Sequence, residues 1–149
     1  MLLGVGNRLG RDDGVGPRVA VSLANTDWRA VDCGTSLENA TGLVAREAPD
    51  LLVIVDAARL GLAPGSVRTM PIRFHDRMLA STHGLPLGFV MDRIRDRVGE
   101  ILLVGVEPED LSLGEGLSPA VEKAAARLVE CLRRNQLELL PPLADESHA

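Results

Sequence analysis

Apolar residues along this chain fall into two kinds of run. "LLVIVDA" at 51–57 is continuous and rich in β-branched side chains. It is too short for a helix and suits a strand buried on both faces. "EILLVGVEP" at 100–108 reads the same way, and "WRAVDCG" at 28–34 is a weaker example. Met1, Leu2 and Leu3 leave room for one short strand before the glycines begin. "SVRTMPI" at 66–72 reads as a strand that Pro71 confines to an edge, since proline has no N–H to share with a neighbour. The second kind of run is periodic. Leu87, Val90, Met91, Ile94 and Val98 recur at three- and four-residue steps, which predicts a helix within 86–98. Val121, Ala124, Ala125, Leu128, Val129 and Leu132 predict another over 119–134, opened by Ser118 as N-cap and Pro119 at the first helical position. Residues 15–24 and 38–47 could each hold a shorter helix.

Strands that alternate with helices predict an α/β fold: a three-layer α/β/α sandwich around a mostly parallel, twisted sheet. There is no internal repeat. One domain is expected over 1–134. The tail at 135–149, "NQLELLPPLADESHA", is expected to be loosely ordered at its end, with "LELLPPL" packed on the body. A chain of 149 residues buries roughly 70% of its unfolded surface, so neither a metal nor a disulfide is required to hold it. With two phenylalanines, one tryptophan and no tyrosine, the core must be aliphatic. The net charge of −5 and the scarcity of aromatic stacking groups argue against a nucleic-acid or anionic-membrane partner. No apolar run approaches the ~20 residues of a membrane span. Cys33 and Cys131 form no C-x-x-C and no signal-peptide pattern precedes them, so reduced thiols in a cytoplasmic protein are expected.

In an open parallel sheet, ligands bind outside the carboxyl ends of the strands. Acids stand at several of those ends: Asp12 and Asp13, Asp32, Asp56 and Glu107. "STHGLPL" at 81–87 adds His83 ahead of a helix. Two carboxylates and an imidazole on one edge make a three-ligand site of mixed oxygen and nitrogen, a set that suits nickel, zinc, copper or iron. Each residue also has a plainer reading. Asp12 or Asp13 could equally cap the helix that follows. Asp56, at the end of so apolar a strand, must be hydrogen-bonded, paired or metal-bound where it is buried. His83 could be an ordinary loop histidine, His75 reads as solvated surface, and His148 lies in the tail.

Other chemistries lack their signatures. The glycines of "GVGNRLGRDDGVGP" at 4–17 suggest a phosphate cradle, but Leu9 stands where the dinucleotide fingerprint needs its third glycine. Asp12 and Asp13 would meet the pyrophosphate with negative charge. No G-x-S-x-G is present, and Ser81 with His83 is weak evidence for a serine hydrolase. Cys33 is a candidate thiol nucleophile, although a cysteine at a strand end is more often a small buried residue. Adjacent aspartates point apart, so Asp12 and Asp13 make no shared-proton dyad.

Five pieces of this chain resemble, in order and spacing, the hydrogenase maturation proteases that process [NiFe]-hydrogenase large subunits. They are "GVGNRLGRDDGVGP" (4–17), "DCGTSLEN" (32–39), "LLVIVDAARLGLAPGSVR" (51–68), "STHGLPL" (81–87) and "LLVGVEPEDLSLGEGLSPAVEKA" (102–124). The third and fourth look most like the members serving formate-hydrogenlyase-type enzymes. The resemblance implies an endopeptidase that removes a C-terminal extension from the large-subunit precursor after nickel insertion. The nickel would be carried by the precursor and bound only transiently. The family's metal-binding positions map to Asp13, Asp56 and His83, which selects Asp13 over Asp12 and makes these three the implied catalytic set. Asp32 falls at a family position beside the site, where a supporting role is implied. Two departures are visible: few residues precede Gly4, which implies a trimmed first strand or an upstream start, and Cys33 stands where relatives often carry glycine. A monomer is expected. The rival readings are a non-catalytic, nickel-dependent maturation checkpoint and a Rossmann-like nucleotide-binding domain.

Overall fold

A computed structural model describes residues 1–71 and 87–144. Five strands form one sheet: β1 (Leu2–Gly4), β2 (Ala30–Asp32), β3 (Leu51–Ala57), β4 (Val67–Pro71) and β5 (Glu100–Val106). Their order is β2-β1-β3-β5-β4. β1 runs parallel to both β2 and β3, and β3 runs parallel to β5. β4 is antiparallel to β5 and forms an edge, as Pro71 foretold. Thr69 directs its N–H and C=O away from β5, donating to Pro141 O and accepting from Leu143 N. Pro71, two residues on, faces the same outer side, where a missing N–H costs no ladder bond. The expected packing of "LELLPPL" is therefore seen at the β4 edge.

The helices are α1 (Val15–Ser22), α2 (Thr41–Glu47), α3 (Leu87–Ile94) and α4 (Pro119–Arg133). α1 and α2 each follow a short 3-10 turn, at Arg11–Gly14 and Leu37–Ala40. Strand alternation divides the core between two faces. Val53, Val55, Val104 and Val106 pack with Val15 and Val19 of α1 and with Val121, Leu128 and Leu132 of α4. Leu52, Ile54 and Ile101 pack on the other face with Val44 of α2 and with Val90 and Ile94 of α3. β3 is buried on both faces, which explains its unbroken apolar run.

The connection from β1 lies on the α1 face and that from β2 on the α2 face. The chain thus diverges at the carboxyl ends of β1 and β3, the position where an open parallel sheet forms a binding crevice. No helix among the described residues is long and apolar enough to cross a membrane.

Candidate active site

The loop after β1 is folded back tightly against the strands it joins. Gly6 has φ +148°, and a Cβ there would collide with the carbonyl of Asp13. A Cβ on Gly16 would strike the backbone oxygens of Val5 and Val55. Two of the five glycines in 4–17 are therefore explained by backbone packed on backbone rather than by a phosphate.

The two adjacent aspartates take opposite parts. Asp12 is fully buried. Its Oδ2 accepts from the Glu109 and Asp110 amides, each at 2.9 Å, and from the Ser118 hydroxyl at 2.8 Å. Its Oδ1 accepts from the Ser118 amide at 2.7 Å. Burial pushes the Asp12 carboxyl up, but the hydrogen bonds from Ser118, Asp110 and Glu109 outweigh it and hold the group below the usual carboxylate range. Asp12 thus clamps the first loop to the β5–α4 loop. A backbone pairing reinforces the clamp: Gly114 N donates to Leu9 O and Arg11 N donates to Gly114 O.

Asp13, one residue on, is only half-buried. Its Oδ2 accepts from the Asn7 amide at 2.9 Å, a loop N–H that a bound pyrophosphate would have needed. Asp13 lines a cavity of about 300 Å³ with Ala57, Ala58, Arg59, Pro108 and Leu111. That cavity lies over the carboxyl ends of β3 and β5.

The helix-cap reading of these acids fails. Gly14 occupies the N-cap of α1 and Gly10 that of the preceding 3-10 turn, and neither end has a side-chain cap. Ser118 does stand at the N-cap of α4 with Pro119 behind it, but it makes no side-chain cap bond. Its hydroxyl goes to Asp12 instead.

Asp56 is the penultimate residue of β3, half-buried, and in register with Gly105 of β5. It shares a face with Leu52 and Ile54 by strand alternation. Ala57, its neighbour, lies in the wall of the Asp13 cavity. The fold therefore brings Asp13 and Asp56 to the same sheet edge from distant parts of the sequence. His83 lies outside the described residues, as do His75, Ser81 and His148.

The remaining acids at this edge hold the frame. Asp32 accepts from Arg8 Nη2 at 2.7 Å and from the Gly34 amide at 2.9 Å, which pins the end of β2 to the first loop. Glu107 is buried, and its Oε1 accepts from the amides of Leu60 and Leu62 at 3.0 and 2.8 Å, which fixes the β3–β4 loop. The Cys33 thiol is pushed up to about 12, first by burial and then by the Asp32 carboxylate. Cys33 is thus protonated near neutral pH and unsuited to be a nucleophile. The part played by Asp12 could not be told from that of Asp13 in the sequence, because its partners lie 97 to 106 residues away.

Comparisons with known proteins agree on one family. The family model described as hydrogenase maturation protease matches residues 17–135, a span that begins after Asp13 and includes Asp56. The hydrogenase 3 maturation protease of Escherichia coli K12 is 32% identical over 136 residues, covering 86% of this chain and 87% of that protein. The solution structure of the endopeptidase HycI from Escherichia coli superposes with a TM-score of 0.83 at 29% identity, covering 98% of this chain and 97% of the other. The crystal structure of a [NiFe] hydrogenase maturation protease from Thermococcus kodakarensis KOD1 gives 0.80 at 32% identity, covering 91% of this chain and 90% of the other. The α/β sandwich, its mostly parallel sheet and these matches place the chain among the hydrogenase maturation proteases, as an endopeptidase.

Proposed function

We propose that this endopeptidase removes a C-terminal extension from the large-subunit precursor of a [NiFe]-hydrogenase once nickel has been inserted. In this reading Asp13, Asp56 and His83 reach the nickel that the precursor carries. The metal is part of the substrate. Carboxylate oxygen and imidazole nitrogen form a donor set nickel accepts. Three protein ligands leave positions for thiolates of the precursor or for water.

The observation that supports the reading is the placement of Asp13. The Asp12 clamp and the glycine contacts hold it over the carboxyl end of β3, the strand whose penultimate residue is Asp56. Contact with the nickel would dock the adjoining peptide bond beside one of the two carboxylates. That carboxylate would take a proton from the attacking water as it adds to the scissile carbonyl. The same proton would pass to the leaving amine when the C–N bond breaks. Cleavage would then occur at a single place, in a folded partner, and only after the metal is in.

The test incubates the protein with a nickel-loaded large-subunit precursor from the same genome and follows the precursor's C-terminal mass. Loss of a C-terminal peptide is expected, and Asp13→Ala, Asp56→Ala and His83→Ala should each abolish it. Equal cleavage of the nickel-free precursor would overturn the recognition role of the metal.

A further inference from the structure

Six large apolar side chains are exposed among the described residues, and they are not evenly spread. Four of them, Leu9, Leu62, Leu111 and Leu113, stand on the loops that follow β1, β3 and β5. All three loops leave the carboxyl edge of the sheet, the edge that carries Asp13. Single exposed leucines are ordinary, but several on the loops of one sheet edge, one of them lining the Asp13 cavity, mark an interaction surface.

The local geometry makes three of these leucines continuous with the site. Gly10 and Gly114 form a parallel bridge, which sets Leu9 beside Leu113 in adjacent strands of a short ribbon. These two are 51% and 85% exposed. The ribbon abuts the site directly, because a Cβ on Gly10 would lie 3.1 Å from the Cβ of Asp13. Leu111, two residues before Leu113, lines the Asp13 cavity itself. The backbone beneath is held by the Asp12 clamp, so the leucines are presented on a rigid support.

Arg59 completes the surface. It lines the Asp13 cavity, is exposed, and has no ion-pair partner among the described residues. The other arginines near this edge differ. Arg8 is engaged by Asp32, and Arg11 by Asp110 and Ser112. A guanidinium with no ion-pair partner among the described residues, beside a carboxylate-bearing cavity, can pair with an acidic group on a partner.

We propose that Leu9, Leu111, Leu113 and Arg59 form the docking surface for the substrate protein, which meets them with an apolar cluster and one carboxylate flanking the segment to be cut. This rests on the endopeptidase reading above and names the chemistry by which its substrate is chosen. The leucines supply the dry centre of the contact, and Arg59 sets register and partner charge.

The probe is the nickel-loaded large-subunit precursor from the same genome. Its affinity for the protein and the rate of its cleavage are measured separately. Leu9→Ser/Leu113→Ser is expected to weaken binding and raise KM by about tenfold or more, with kcat held within about twofold. Arg59→Gln should raise KM and flatten its dependence on salt, and Arg59→Glu should raise KM further. Leu139→Ser, an exposed leucine that does not line the Asp13 cavity and lies outside the loops of Leu9, Leu111 and Leu113, is the control and should change neither. Circular dichroism and urea midpoints like those of the wild type show that the variants fold. Rim variants that bind and cleave as the wild type does would overturn the docking surface while leaving the endopeptidase reading intact. A wild-type protein that binds the precursor without cutting it would overturn that reading, with the docking surface still judged by the affinities. Failure to bind at all would overturn both.

Discussion

Replacing Asp12 by asparagine changes little in volume and tests whether a buried carboxylate holds the first loop. The carboxylate receives four hydrogen bonds, three at Oδ2 and one at Oδ1. Asparagine offers one acceptor oxygen. With that oxygen at the Oδ2 position, its NH2 must face the Ser118 amide, donor against donor. One charge-assisted bond is lost and the other three fall from charged to neutral strength. Hydrogen bonds to charged groups are worth about 1.5–3 kcal/mol and neutral ones about 0.5–1.5 kcal/mol. The sum gives a loss of about 4.5–7.5 kcal/mol, a large share of the 5–15 kcal/mol typical of a domain. Urea denaturation at pH 7 should show it as a lower midpoint with an unchanged slope. The pH dependence gives a second check. The folded Asp12 carboxyl titrates below its unfolded value of about 3.9. Its contribution is therefore fully present above the unfolded value and is lost as pH falls through the folded one. The gap between wild type and Asp12→Asn should be constant from pH 7 to about pH 5 and close below about pH 4. A midpoint unchanged at pH 7, or a gap independent of pH, would refute the clamp.

Three further outcomes follow from the surroundings of single residues. Gly16→Ala places a methyl group against the backbone oxygens of Val5 and Val55, neither of which can give way, and should cost about 3 kcal/mol by thermal or urea unfolding. Gly42→Ala in α2 meets open space and should stabilise by about 0.5–1 kcal/mol, which separates close packing from helix propensity in one assay. The Cys33 thiol, held at about 12, should react with iodoacetamide at pH 8 roughly three orders of magnitude more slowly than an ordinary thiol, from the ratio of thiolate fractions, and Cys33→Ser should leave precursor cleavage unchanged.

Much of the fold was legible because local pattern and tertiary role coincide. The run at 51–57 is the strand β3 end to end, because a strand covered on both faces needs no polar alternation. The periodic apolar positions of 119–134 are the buried face of α4. Pro71 marked the edge strand, but nothing local showed that β4 runs antiparallel, since direction depends on how the β3–β4 loop turns. At that turn Glu107 holds the amides of Leu60 and Leu62 from beyond β5, a contact no short pattern encodes. Ser118 and Pro119 mark the start of α4, yet the Ser118 hydroxyl donates to Asp12 and does not cap the helix. The exposed leucines leave no signal in the sequence, because apolar residues in glycine-rich loops carry no periodicity.

The opening glycine loop shows why site residues are harder to read than elements. Two identical side chains stand next to each other at Asp12 and Asp13, and any rule based on spacing treats them alike. They lie in a 3-10 turn, where successive side chains diverge by about 120°. One must therefore face the body when the other faces the cavity. The β5–α4 loop decides which, by presenting two amides and the Ser118 amide and hydroxyl to a single position. The buried partner takes the desolvation and the hydrogen bonds, and in doing so fixes the backbone from which Asp13 projects. The clamp also joins the loop of Leu9 to that of Leu111 and Leu113, so the same contact that aims the carboxylate assembles the apolar rim. Loosening Asp12 should consequently weaken precursor binding and cleavage together, whereas loss of Asp13 alone should spare binding through the rim. Measured side by side, the two variants separate support from chemistry in a doublet that the sequence leaves symmetrical.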